Sequence, residues 1–355
     1  MNYSKKIRIF LSAIIIMSVI PLSSCINNNG NSEPISKTEY MLGTICTITV
    51  YDNKSETVID NSIDKAFARI KEIENKMSVN KSGTEVDAVA NAAGKNFVKV
   101  SDDTFYVLKK GKYYSGQSSG SFDITIGPLV KLWGIGTDHA RVPSQQEIDE
   151  KKSLVNYKDL LLDEKDKKAM LTKPGMSLDL GGIAKGYSAD EAARILKENG
   201  VEHAIVNLGG NVLTINDNPD GNPWTVGIQD PFKSRGSVVG TIDVTNKTVV
   251  TSGIYERYFE KNGKKYHHIL NPFTGYPMDN NLASVTLVTN VSIDADAMTK
   301  NIFYLGLDKG AEYVKKVPGL SAIFITKNKE VYVTESLKND FQITNSSFKL
   351  IHDIK

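Results

Sequence analysis

The segment from Leu178 to Asp190 constrains the fold of this chain most strongly, because it joins an acid, two adjacent glycines and a helix start. It reads Leu-Asp-Leu-Gly-Gly-Ile-Ala-Lys-Gly-Tyr-Ser-Ala-Asp, with a strand-like beginning and an amphipathic helix expected from about Ala184. Two residues without side chains let the backbone approach a bulky charged ligand closely. Free N–H groups at a helix start suit a pyrophosphate. The glycine spacing fits neither a dinucleotide fingerprint nor a P-loop, so an anion site of another kind is predicted.

The first 24 residues predict a signal peptide, which is removed and takes no part in the fold. Three basic residues precede an apolar run over residues 9–20 that is too short to span a bilayer. Leu22-Ser23-Ser24-Cys25 then has the form of a bacterial lipobox, in which Cys25 becomes the lipidated first residue. We expect an exported protein that is lipid-anchored to the outer face of the bacterial cytoplasmic membrane, or to the periplasmic side of a membrane. An ordinary signal peptide followed by an incidental cysteine is the alternative.

The remaining sequence predicts a polar tether followed by one folded domain. The tether covers residues 25–38, with Ile26–Pro34 too polar to bury anything, and the domain covers residues 39–350. Loss of the signal peptide changes the formal charge from +2 to −1, so no basic field favours nucleic acid as a partner. Only Cys46 remains besides Cys25, so no disulfide within the domain is expected and its stability must come from its core.

Hydrophobic periodicity predicts an α+β fold. Alternation over Thr44–Tyr51 predicts a strand, and residues 78–86 are expected to form a polar loop. Because helices do not alternate regularly with strands, mixed or antiparallel sheets with flanking helices are favoured over a doubly wound sheet. No boundary is visible between residues 40 and 350, so we expect a single unit of two intimate lobes. Helices are predicted over residues 59–77, 101–115, 145–152, 184–199 and 294–305.

Five further segments are rich in glycine and polar residues. They are Gly120-Ser-Phe-Asp-Ile-Thr-Ile-Gly-Pro-Leu, Leu208-Gly-Gly-Asn, Thr251-Ser-Gly-Ile-Tyr-Glu-Arg, His268-Ile-Leu-Asn-Pro-Phe-Thr-Gly and Asp294-Ala-Asp-Ala-Met-Thr-Lys. Together with Leu178–Asp190, in this order, they resemble the ApbE family of FAD:protein FMN transferases. The resemblance extends from about Met41 to Gly306 and rests on many separate motifs.

This resemblance implies a T-fold-like flavin transferase domain with FAD as its substrate and Mg²⁺ as its cofactor. The implied reaction cleaves the pyrophosphate of FAD, releases AMP and joins FMN to a Ser or Thr hydroxyl of an exported flavoprotein of the electron-transport type. Such a site needs a metal to neutralise the pyrophosphate, close backbone donors and a base for the hydroxyl.

The resemblance further implies that Asp296 and the backbone carbonyl of Gly182 bind the metal. From the residues alone, Asp296 is equally an acid of the kind commonly found near a helix N-terminus. Relatives usually carry a metal-binding Thr four residues after this Asp, where this chain has Lys300. Two alternatives follow: Thr299 replaces that ligand, or Lys300 contacts phosphate directly.

Several side chains match family positions that contact FAD, although each also has an ordinary structural explanation. Asp179 is also typical of a turn at a strand end, Lys185 of a solvated first helical turn, and Phe122 of a core. Leu42 stands where relatives often carry Met and is expected to cover an aromatic ring. The positions implied to bind FAD by these matches are Leu42, Ser121, Phe122, Asp123, Asp179 and Lys185.

His268 is the predicted catalytic base. Its loop resembles a family loop that places Leu270 near the flavin, and a neutral imidazole there can accept the proton of the acceptor hydroxyl. Arg257 is predicted either to hold a phosphate or to form an exposed ion pair.

Asn80 decides between two versions of the chemistry. Many transferases of the family carry Tyr here, and Asn resembles members that hydrolyse FAD to FMN and AMP, because a smaller side chain leaves room for water. A turn-forming Asn is the structural explanation. An FAD pyrophosphatase is therefore the first alternative function. A non-enzymatic flavin-binding lipoprotein is the second, since such receptors share the lipobox and tether.

Overall fold

The structure is a computed structural model that describes residues 33–351, so the predicted signal peptide and Cys25 lie outside the described residues. Within it, strand pairing starts at Ile35. Strand β1 (Ile35–Met41) pairs along its whole length with β2 (Thr44–Val50), from Ile35 opposite Val50 to Met41 opposite Thr44. The predicted end of the tether at residue 38 is therefore wrong. Most side chains of β1 are exposed, so it is held by backbone pairing and shows no apolar pattern in the sequence.

Within residues 33–351, nine strands form the central sheet, in the order β1-β2-β6-β7-β10-β13-β14-β15-β17, and the other strands form three smaller sheets. All neighbours in the central sheet are antiparallel except β15 and β17, so the expected α+β fold with mixed sheets is confirmed. The remaining strands are β3 (Val98–Lys99), β4 (Leu160–Asp163), β5 (Lys168–Leu171), β6 (Ala204–Leu208), β7 (Asn211–Ile215), β8 (Trp224–Gln229), β9 (Val238–Val244), β10 (Thr248–Gly253), β11 (Tyr258–Lys261), β12 (Lys264–His267), β13 (Leu282–Thr289), β14 (Ser321–Thr326), β15 (Glu330–Val333), β16 (Phe341–Ile343) and β17 (Lys349–Ile351).

Every predicted helix is present, and two short ones were not predicted. The expected polar loop ends at Thr84, whose side chain caps α2, and Gly127-Pro128 begins the unpredicted α4. None of these helices, within residues 33–351, is long and apolar enough to cross a membrane. The helices are α1 (Glu56–Met77), α2 (Glu85–Asn91), α3 (Asp102–Gln117), α4 (Gly127–Trp133), α5 (Gln145–Lys152), α6 (Ala184–Glu198) and α7 (Ser292–Lys316), the last broken at Gly306, where φ is 75°.

The core beneath the first two strands is closed by α1 and α6. Ile63 and Phe67 of α1 and Ala192 of α6 are buried against β2 and β6. Cys46 of β2 is fully buried in the same cluster, and burial raises the pKa of its thiol to about 11. The described residues, 33–351, all fall within one compact unit.

Helices α6 and α7 touch backbone to backbone at Gly186. A Cβ atom at Gly186 would meet the carbonyl oxygen of Ser292 and would lie 2.6 Å from the Cα of Ile293. The carboxylate of Asp190, one turn further along α6, accepts hydrogen bonds from the backbone N–H groups of Ser292 and Ile293, both at 2.9 Å. One helix therefore caps the start of the other, which fixes where α7 begins.

We predict that Gly186→Ala lowers the free energy of unfolding by at least about 2 kcal/mol, because the new methyl group meets backbone atoms that cannot move aside. Gly116→Ala in α3 is the matched control, since a Cβ there would lie 3.7 Å from its nearest neighbour, Tyr157. The control should be neutral or stabilising by up to about 1 kcal/mol. Urea unfolding measures both, and equal effects of the two changes would contradict the close crossing.

Candidate functional site

The glycine pair after Asp179 lies against two of the other motifs. A Cβ at Gly182 would lie 3.1 Å from Cε2 of Phe122 and 3.3 Å from Cε of Lys300, so only a glycine fits between them without displacing one. No regular strand forms before this pair: Ser177 makes a single bridge to Ile126. Helix α6 then begins at Ala184, as predicted.

Both carboxylate oxygens of Asp296 are already engaged. Asp296 is 1% exposed and lies in the second turn of α7, which begins at Ser292, two residues before the predicted start. Its Oδ2 accepts a hydrogen bond of 3.0 Å from the N–H of Gly186, and its Oδ1 forms an ion pair with Lys300. Burial alone would raise the pKa of Asp296, but Lys300 and Lys185 outweigh it and lower that pKa. The carboxylate is therefore ionised and bound to a cation that belongs to the chain.

Thr299 does not offer a replacement metal ligand. Its hydroxyl donates to the backbone carbonyl of Asp296 and accepts from Ser252, both at 2.8 Å, and the residue is fully buried. Within residues 33–351 no group of three His, Cys, Asp or Glu side chains could hold a metal ion. Mg²⁺ needs oxygen ligands, and the carboxylate implied as its ligand, that of Asp296, is already paired with the ammonium group of Lys300. The residues present do not fit a resident Mg²⁺.

Three cations, Lys185, Arg257 and Lys300, act electrostatically on Asp179 or Asp296 at this site. Lys185 is half-buried in the first turn of α6 and acts electrostatically on Asp296, Lys300 and His268. The guanidinium of Arg257 donates to the Gly43 carbonyl at 3.2 Å, and no carboxylate among the described residues forms an ion pair with it. Its predicted surface ion pair is therefore absent from this part of the chain, and its charge remains available to an anion.

Asp179 shapes the turn that enters this pair. Its Oδ1 accepts a hydrogen bond of 2.7 Å from the N–H of Gly181, and its own N–H donates to the Ile124 carbonyl at 2.8 Å. Burial raises the pKa of Asp179 despite the charges of Arg257 and Lys300 nearby. The residue therefore orients the glycine pair, which is the structural role the sequence left open.

The backbone carbonyl of Arg257 orients the ring of His268. The backbone N–H of His268 donates to the Arg257 carbonyl at 3.0 Å, and Nδ1 lies 3.3 Å from the same oxygen. The tautomer with Nδ1–H donating there leaves Nε2 as a proton acceptor. Burial, with the charges of Arg257 and Lys185, lowers the pKa of the imidazole, which is therefore neutral at neutral pH.

The Gly120 segment forms one wall of an open cleft. Ser121 is buried and donates to Asn301 of α7 at 2.7 Å, and both oxygens of Asp123 accept hydrogen bonds, one of them at 2.8 Å from the N–H of Tyr157. Burial raises the pKa of Asp123 against these hydrogen bonds. The cleft measures about 290 Å³, and its lining includes Gly120, Asp123, Tyr157 and Phe273. Ser121 and Asp123 thus brace the wall with their side chains.

Leu42 and Asn80 are joined through a residue that the sequence did not indicate. Leu42 and Gly43 have φ values of 53° and 67°, which form the tight turn between β1 and β2. Glu74 of α1 accepts from the N–H of Leu42 at 2.8 Å and forms an ion pair of 2.6 Å with Lys81, next to the exposed Asn80. Glu74 therefore holds both turns.

Comparisons with known proteins identify the family. The family model described as "ApbE family" matches residues 42–324. The chain belongs to the ApbE family.

Two curated relatives carry the name FAD:protein FMN transferase. The one from Klebsiella pneumoniae is 39% identical over 81% of this chain and 89% of its own length, and the one from Treponema pallidum is 30% identical over 89% and 91%. The crystal structure of the ApbE protein from Thermotoga maritima is 31% identical with a TM-score of 0.78, covering 86% of this chain and 98% of that one. The flavin transferase ApbE from Vibrio cholerae is 26% identical with a TM-score of 0.76, covering 87% and 99%.

The structure separates the predicted residues of this ApbE-family chain into two groups. In the first, Phe122 lies against Gly182, Lys300 links that glycine to Asp296, and Lys185 acts electrostatically on Asp296 and on His268. In the second, Ser121 and Asp123 brace the cleft wall, and Leu42 and Asn80 lie at the turns held by Glu74. Leu270 is only 6% exposed and packs in a core cluster with Trp133, so its side chain anchors the loop of His268 to the core. Gly186, Asn301 and Tyr157 were missed. A glycine inside a predicted helix could have indicated the first, since such a residue often marks close packing.

His267, next to the predicted base in this ApbE-family protein, gives a test of pH dependence. It is buried, hydrogen-bonds to the Met278 carbonyl at 2.9 Å, and burial lowers its pKa to about 4. The unfolded chain takes up a proton below the ordinary value of about 6.5 and the folded chain does not, so stability is lost as the pH falls from about 6.5 towards 4.

We predict that His267→Gln, which keeps an N–H donor but does not titrate, removes up to about 2 kcal/mol of the stability lost between pH 7 and pH 5. Urea unfolding at the two pH values measures this difference. Equal losses in the variant and the natural protein would show that His267 is protonated as readily when folded as when unfolded.

Proposed function

We propose that this protein transfers FMN from FAD to a Ser or Thr hydroxyl of an exported flavoprotein and releases AMP. The observation that carries the proposal is a neutral imidazole, His268, held beside a cluster of cations formed by Lys185, Arg257 and Lys300. A base for a hydroxyl and fixed positive charge for a pyrophosphate are the two requirements of the reaction. The transferase names of the relatives support an enzyme over a flavin-binding lipoprotein without activity.

The transfer exchanges one phosphorus–oxygen bond for another. Nε2 of His268 accepts the proton of the acceptor hydroxyl while that oxygen bonds to the phosphorus on the FMN side of FAD. The bond from this phosphorus to the bridging oxygen breaks, and AMP leaves with that oxygen. Lys185 and Arg257 stabilise the charge that collects on the phosphate oxygens. No step is assigned to Mg²⁺, because Asp296 and Thr299 are engaged within the protein.

We place the reaction outside the cytoplasm, with the protein anchored through a lipid on Cys25 to the outer face of the cytoplasmic membrane or to the periplasmic side of a membrane. The lipobox and the polar stretch Ile26–Pro34 support this part of the proposal. An acceptor in the same compartment, of the electron-transport type, follows from it.

We predict that His268→Asn lowers the transfer rate by at least about 100-fold, the usual contribution of a general base. The measurement is mass spectrometry of an exported FMN-acceptor domain incubated with FAD and the protein. His203→Asn is the control, because His203 bonds to the carbonyl of Asp217 outside this cluster. An unchanged rate in the His268 variant, or no FMN on the acceptor with the unaltered protein, would refute the proposal.

FAD hydrolysis to FMN and AMP is the second candidate, favoured by the small, exposed Asn80. We predict that Asn80→Tyr lowers AMP release in the absence of acceptor by about 10-fold, because a ring at this turn excludes water. Asn80→Gln, which adds no ring, is the control. Chromatography of AMP with and without acceptor measures both, and AMP that appears only with acceptor would eliminate the hydrolase.

A further inference from the structure

The side chain of Lys300 lies between Gly182 and Asp296, the two residues that the resemblance implies as metal ligands. Its Cδ and Cε atoms lie 3.7 and 3.3 Å from where a Cβ of Gly182 would be, and its Nζ forms the ion pair with Asp296. The same Nζ donates to the backbone carbonyl of Asp296 at 2.9 Å. The ammonium group therefore stands on the carboxylate where the resemblance implied Mg²⁺.

We infer that Lys300 is the fixed cation of this site and binds the pyrophosphate of FAD in place of a divalent metal. The inference rests on the proposed function for the identity of the anion. It makes FAD binding and FMN transfer by this chain independent of Mg²⁺, and it makes Lys300 the residue that determines this independence.

The hydrogen-bonding capacity of Lys300 leaves room for a ligand. An ammonium group has three N–H donors, and Asp296 accepts from two of them, through Oδ1 and the backbone carbonyl. The Lys300 side chain is 17% exposed whereas that of Asp296 is 1% exposed. The third donor is therefore directed away from a closed carboxylate and is available to an oxygen of the pyrophosphate.

The side-chain oxygens beside Lys300 that could bind a divalent ion are already hydrogen-bonded within the protein. The second oxygen of Asp296 is bound to the N–H of Gly186, and the Thr299 hydroxyl bonds to Ser252 and to the Asp296 carbonyl. A metal ion at Asp296 would have to displace the ammonium group of Lys300. The displaced ammonium group would then lie beside the metal ion without its carboxylate, and Lys185 would add a further positive charge nearby.

The first experiment uses the unaltered protein and two readouts. The dissociation constant of FAD, from flavin fluorescence, should change by less than about 2-fold between EDTA and millimolar Mg²⁺. Mg²⁺ alone should leave the melting temperature unchanged. A 10-fold or greater dependence of FAD binding on Mg²⁺, or stabilisation by Mg²⁺ alone, overturns the inference. If FAD does not bind under either condition, the proposed function fails, and the melting experiment still decides whether the site takes a metal.

The second experiment exchanges the cation for an oxygen ligand. Lys300→Thr should weaken FAD binding in EDTA by about 10-fold or more, the loss of one charged hydrogen bond, and Mg²⁺ should restore it. Lys316→Thr is the matched control, because Lys316 forms an exposed ion pair with Glu312 at the same four-residue spacing in α7. Equal FAD affinity of the Lys300 variant in EDTA and in Mg²⁺ overturns the inference. If this variant is unstable, the comparison in the unaltered protein is sufficient.

Discussion

The backbone contact between α6 and α7 determines the geometry of the whole site. Gly186 allows the two helices to cross without side chains between them, and its N–H group holds Asp296. Asp190 caps the start of α7 from α6. Lys185 and Lys300 take their positions from these two helices, whereas Arg257 is held separately, by the backbone carbonyl of Gly43. A change at the crossing therefore moves the anion site and weakens the fold at the same time.

Charge balance at the site depends on which groups are already neutralised inside the protein. The ion pair removes most of the charge of Asp296 from reach of an anion, whereas Lys185 and Arg257 have no carboxylate within ion-pair distance among the described residues. The site is therefore organised to attract a dianion such as a pyrophosphate. The side chains of Ser121 and Asp123 are engaged within the protein, by Asn301 of α7 and by the backbone N–H of Tyr157, and they keep the cleft wall rigid.

Local patterns predicted the regular elements well, because helical periodicity and caps are properties of neighbouring residues. Helices α2 and α4, each seven residues long, were missed because so short a segment carries little periodicity. Strand β1 was missed because its side chains are exposed and its stability comes from pairing with β2. The position of Lys300 relative to Gly182 depends on segments more than 100 residues apart. Patterns among neighbouring residues carry no information on such a contact. The motifs predicted a shared site for Gly182 and Asp296, but not that Lys300 lies between them and is paired with Asp296.

The burial of Cys46 determines how the protein responds to oxidants. With a thiol pKa of about 11, only about one molecule in 10⁴ carries a thiolate at pH 7, and the thiolate is the form that reacts with oxidants and disulfides. The fully buried sulfur also has no path to a second cysteine within the described chain. In the oxidising compartment that we propose for this protein, the domain can therefore be handled without reductant and should not form disulfide-linked dimers through Cys46.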